Sequence, residues 1–78
     1  MTVSLRHQAE EAELDLMEYR DWIEILSGTQ DEKARRTPEQ LANMRIRLGR
    51  KEAIAETLGR LADRADARRA AEQGSTAA

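Results

Sequence analysis

Leu26-Ser27-Gly28-Thr29-Gln30-Asp31-Glu32-Lys33-Ala34-Arg35-Arg36-Thr37-Pro38-Glu39-Gln40-Leu41 decides the fold, because it reads as the end of one helix and the start of another. Thr37 offers a hydroxyl to the first free backbone N–H groups. Pro38 fits a first turn, where its missing N–H is no loss, and Gln40 stands where a capping box places Glu or Gln. At the other end, Ser27-Gly28 is a stop: glycine takes the left-handed conformation that closes a helix without a Cβ clash. Thr29 to Arg36 is polar and reads as a loop with room for a short turn of helix.

Outward from this break, both flanks carry apolar residues at alternating steps of four and three. Upstream these are Leu5, Ala9, Ala12, Leu16, Tyr19, Ile23 and Leu26; downstream they are Leu41, Met44, Leu48, Ala55, Leu58, Ala62 and Ala65, interrupted only by Lys51. On a helix of 3.6 residues per turn each set forms one continuous coiled-coil seam. The chain is therefore expected to be all-α, an antiparallel helical hairpin spanning one domain over 1–72. Helix one is expected over about 5–26, capped by Thr2 or Ser4, the loop over 27–37, and helix two over about 38–72. Gly49 and Gly59 each cost helix two about 1 kcal/mol relative to alanine, which a packed helix absorbs where close backbone approach is useful. Helix two is the longer, and about Arg60 to Glu72 is expected to overhang. The tail, 73–78, is small and polar and is expected to be disordered.

Seventy-eight residues without a cysteine allow neither a disulfide nor a thiolate metal site. Below about 80 residues a single core rarely supplies more than ~3–5 kcal/mol. Self-association is the natural remedy, so the hairpin is expected to pair into a four-helix bundle as a homodimer, or to dock onto a larger protein. The same loop would also allow two chains to open and intertwine. No window approaches the ~18 apolar residues of a membrane span, and the N-terminus lacks a basic start followed by an apolar run. A cytoplasmic protein with no membrane association is the expectation.

Charge is divided along the chain. Residues 1–32 hold nine acids and two bases, and residues 33–78 hold eleven bases and six acids, so the two parts carry −7 and +5 within a net charge of −2. Folding back would lay an acidic helix beside a basic one. Exposed pairs contribute only ~0.2–1 kcal/mol each, so the imbalance would favour antiparallel pairing and register more than stability, or else both faces are simply solvated.

Helix one also carries apolar residues away from its seam. At 100° per residue Leu14 and Ile25 fall nearly opposite it, with Met17 and Trp22 on the flanks. A helix that packed only against its hairpin mate would not need them. These four are the candidate partner-facing anchors, the alternative being that Trp22 and Met17 merely widen the intramolecular core.

Catalysis finds little support. The glutamates lie along an exposed acidic face with no histidine or lysine beside them, and His7, the only histidine, reads as a bystander. Glu-x-x-His, glycine-rich phosphate loops and nucleophile motifs are all missing from the sequence. No enzyme, metal or cofactor is expected. Nucleic-acid binding is the rival class: Arg45, Arg47, Arg50 and Lys51 cluster within two turns, and Arg35 and Arg36 precede them. Against it, the aromatics available for stacking, Tyr19 and Trp22, lie on the acidic helix, which the bases are expected to face.

Tyr19-x-x-Trp22-Ile23, Leu41-Ala42-Asn43-Met44 and Glu52-Ala53-Ile54-Ala55-Glu56-Thr57-Leu58 carry a resemblance. Over Leu5 to Asp63 the chain resembles small phage and prophage helical-hairpin proteins of proteobacteria, from which it departs in its longer loop, Thr29 to Arg36, and in Gly49 and Gly59. The resemblance implies an origin rather than a mechanism: an accessory or host-modulating factor that works by binding a protein partner.

Overall fold

The structure, a computed structural model, describes residues 3–76 and contains two helices, α1 (Leu5–Gly28) and α2 (Pro38–Thr76), packed against each other as an antiparallel hairpin. Ser4 opens α1: its backbone is extended and its hydroxyl accepts from the His7 N–H at 3.1 Å. Thr2, the other candidate cap, lies outside the described residues. The start of α2 is a complete capping box. Thr37 Oγ1 accepts from the Gln40 N–H at 3.1 Å, and Gln40 Oε1 accepts from the Thr37 N–H at 2.9 Å, so two otherwise orphaned donors are satisfied reciprocally.

The stop works differently from the glycine cap expected at Ser27-Gly28. No described residue has a left-handed backbone; Gly28 is the last residue of α1, and Thr29 turns the chain into an extended conformation with φ −72° and ψ 140°. Polar side chains then shape the loop that follows. Thr29 Oγ1 accepts from the Asp31 N–H, Asp31 Oδ1 accepts from the Lys33 N–H, and the Asp31 carbonyl accepts from Ala34 and Arg35. This single closed turn is the short turn for which the loop has room. Hydroxyl and carboxylate acceptors close the turn without any φ > 0 residue.

Every seam position is buried or half-buried, from Leu5 to Leu26 on α1 and from Leu41 to Ala65 on α2, Lys51 included. The buried centre is Ala9, Leu16, Ile23, Leu26, Ala55 and Ala62. Half of it is alanine, which lets two helices approach closely but buries little area. Register is set at two points. Arg6 bonds Asp66 and Arg20 bonds Glu52, so fourteen residues along α1 match fourteen back along α2, two heptads without slip.

This register places the end of the match later than expected. Arg6 reaches both Asp63 and Asp66, and Ala62 has no solvent exposure. The overhang therefore begins after Asp66 rather than near Arg60. Heptad spacing shows which faces meet but not how far one helix is shifted along the other, and the shift here places α1's first turn against Asp63 and Asp66. α2 also runs on through Gln73 and Gly74 to Thr76, so that part of the expected disordered tail is helical; 77–78 lie outside the described residues. Gly74 keeps a right-handed backbone, and the Ala-rich segment before it favours continuation. The hairpin is a rod of 66 × 22 × 17 Å.

Candidate interaction surface

The four candidate anchors are solvent-exposed: Leu14 by 50%, Met17 by 51%, Trp22 by 48% and Ile25 by 62%. None is drawn into the hairpin's centre, so they do not serve to widen it. They form two pairs rather than one stripe. Leu14 and Met17 border a groove of about 360 Å³ between the helices, floored by Ala9, Ala55 and Gly59 and flanked by Arg6 and Glu13. Trp22 and Ile25 turn toward the opposite edge. Glu18 and Asp21 stand between the pairs, each four residues from a member of both, so the outer face of α1 is apolar and acidic in alternation.

α2 adds three large exposed apolar residues absent from the expected surface: Ile46, Ile54 and Leu61. A second apolar face on α2 was legible in outline, since Ile54 and Leu61 are seven apart and directly precede the seam residues Ala55 and Ala62. They share the flank of α2 that lies away from Glu52 and Asp66. Because Arg20–Glu52 and Arg6–Asp66 cross one edge of the hairpin, Ile54, Leu61 and Trp22 gather at the other.

The four expected nucleic-acid contacts are split by the fold. Lys51 is half-buried and already engaged: its ammonium lies 2.7 Å from Asp15 Oδ2 and 5.1 Å from the centroid of the Tyr19 ring. Arg45, seven residues before Glu52, sits on the flank opposite Arg47 and Arg50. Arg45, Arg47 and Arg50 make no ion pair among the described residues, so they do not engage α1 as expected. Arg47 instead borders a second depression of about 230 Å³ with Arg36, Gln40 and Asn43, and Arg36 itself donates to the Ala34 carbonyl.

The acidic α1 does lie beside the basic α2, but the ion pairs between them do not follow the majority charges. Among the described residues, three of the four, Arg6–Asp63, Arg6–Asp66 and Arg20–Glu52, join the two arginines of α1 to acids of α2; Lys51–Asp15 follows the majority charges. Hydrogen bonds to Asp63 and then Asp66 hold the Arg6 guanidinium above its usual pKa. The bulk of the acids of α1 and the arginines of α2 is thus left on the surface.

His7 is exposed and stands 4.0 Å from Glu11 Oε1. Among the described residues no three acidic, histidine or cysteine side chains form a metal-holding group, and no helix is long and apolar enough to cross a membrane. Comparison of the chain with known protein families, curated proteins and solved structures finds no match.

Proposed function

We propose that this hairpin is a non-enzymatic protein-interaction module that works by presenting helix faces to another chain, either a second copy in a four-helix bundle or a larger protein. The observation that carries this reading is the contrast between inside and outside. Six of the described residues, three of them alanine, are buried, while Leu14, Met17, Trp22 and Ile25 remain about half in water on the helix that already supplies most of the larger buried side chains. Large aromatic and aliphatic groups of this kind are the usual anchors of helix-face recognition. As a biological setting we propose a phage accessory or host-modulating factor, on the resemblance over Leu5 to Asp63 alone.

Sedimentation equilibrium across a concentration series, with helicity followed in parallel, tests the reading. Trp22→Ala and Ile25→Ala are expected to weaken association while leaving the fold of the single hairpin intact. A well-folded hairpin that stays monomeric at all concentrations, and binds no protein ligand in a manner sensitive to these residues, overturns it.

A second reading, a small nucleic-acid-binding regulator, rests on Arg36 and Arg47 sharing one depression and on Arg50 lacking an ion-pair partner among the described residues. Its signature is binding to RNA or DNA that falls steeply with salt and is lost in Arg47→Glu.

A further inference from the structure

The hairpin has two broad faces, one on each side of the seam. Arg6–Asp66 and Arg20–Glu52 mark the first. On the second, helical spacing places Glu11, Asp15, Glu18, Trp22 and Ile25 of α1. Beside them stand Arg47, Arg50, Ile54, Leu61 and Arg64 of α2. Where the two helices run side by side, the charges that α1 presents here are acidic and those that α2 presents are arginines; Glu39 and Glu72, near the two ends of α2, fall on the same flank. Apart from Asp15, held by Lys51, and Glu11, 4.0 Å from His7, these acids of α1 and arginines of α2 make no ion pair among the described residues. Trp22, Ile54 and Leu61 supply the apolar part of this face, Trp22 sharing its column with Asp15 and the other two with Arg47.

We propose that a second copy of this chain covers this face, with the two-fold axis running along the length of the hairpins. The inference rests on the interaction-module reading and names its partner. Two hairpins stacked face to face admit two in-plane axes. An axis across the helices lays α1 on α1 and α2 on α2, setting acids against acids and arginines against arginines. An axis along the helices lays α1 of each copy on α2 of the other, acids against arginines, with both loops at the same end. Rotation about that axis leaves every residue at its own height. The Arg20–Glu52 level then places Trp22 beside Arg50 of the second copy, Glu18 about one turn from the same arginine, and Glu11 within one turn of Arg64. The apolar parts of the two faces close into the centre of a four-helix bundle.

The chain has no cysteine, so Lys33→Cys in the loop carries one spin label per copy, and Glu32→Cys provides a second, independent label. Pulsed dipolar spectroscopy is expected to give a single separation of about 30 Å, the width of two adjacent hairpins plus the label arms. A separation approaching the 66 Å length of the hairpin overturns the arrangement while leaving the interaction-module reading in place. A folded monomer also overturns it, and leaves this face to a different protein. Charge exchange supplies an independent reading. Glu18→Arg and Arg50→Glu, each present twice in the dimer and each turning attraction into repulsion, are expected to weaken dimerisation roughly tenfold. The double variant is expected to recover most of that loss, and failure to recover counts against the pairing.

Discussion

Lys51 lies across the Tyr19 ring, its ammonium 5.1 Å from the centroid and 2.7 Å from Asp15 Oδ2. The one seam position without an apolar residue is thus filled by a lysine whose ammonium stands over the aromatic ring and reaches an exposed carboxylate beside the seam. Such a residue costs less than a buried charge and contributes less than leucine.

Lys51→Leu is therefore expected to stabilise the hairpin by about 1 kcal/mol, the gain in buried apolar area exceeding the loss of a largely exposed ion pair. Thermal melts should show a rise of roughly 4–8 °C for a domain of this size. A fall would mean that Asp15, Lys51 and Tyr19 act as a coupled cluster worth more than its separate contacts.

Gly49 and Gly59 interrupt α2 without any contact that requires them. A Cβ built at either meets nothing within 4 Å, and neither has a left-handed backbone. Close backbone approach, the use a packed helix makes of glycine, is thus not the reason for these two within the hairpin. Gly49→Ala and Gly59→Ala are each expected to raise stability by about 1 kcal/mol, additively, as read from urea midpoints. If Gly59→Ala instead weakens association while the hairpin gains stability, the groove beside Leu14 and Met17 receives a partner backbone.

The capping box at Thr37 and Gln40 is a local device, and both of its hydrogen bonds have ordinary N–H···O lengths. Thr37→Ala is expected to cost about 1 kcal/mol and Gln40→Ala somewhat less. Ser4→Ala, which removes the single bond to His7, should cost no more than Thr37→Ala. Denaturant titrations of the three variants decide the order.

What was legible in the residues and what was not divides along the same line of locality. The seam, its interruption at Lys51 and the Thr37–Gln40 box each depend on neighbours within seven residues, and each is where the spacing places it. Gly28 was misread because Thr29 and Asp31 close the turn with side-chain oxygens, a route that composition does not rank above a left-handed glycine. The extent of the overhang and the separation of Arg45 from Arg47 depend on the shift of one helix along the other. That shift shows up in pairs such as Arg6–Asp66, sixty residues apart in sequence. The charge imbalance suggested that majority charges would meet, but two arginines on an acidic helix are each surrounded by possible partners, and geometry assigned them to α2.

Arg6 joins the first turn of α1 to Asp63 and Asp66, just before α2 runs past the start of α1. Beyond Asp66 no α1 residue stands alongside the helix, so this segment is expected to open more readily than the part packed in the seam. Hydrogen exchange should therefore show a step: slow exchange around Ala55 to Ala62, where the seam is tightest, and fast exchange over 67–76. Arg6→Ala is expected to move this step toward Ala62 without altering protection near Leu48, because the Arg20–Glu52 contact still holds the register there. The step should also move with added salt, since the contacts are exposed. Strong protection over 67–76 that disappears on dilution would show that another chain covers the overhang. Protection that persists in a monomer would show that the Ala-rich segment is stable as an isolated helix.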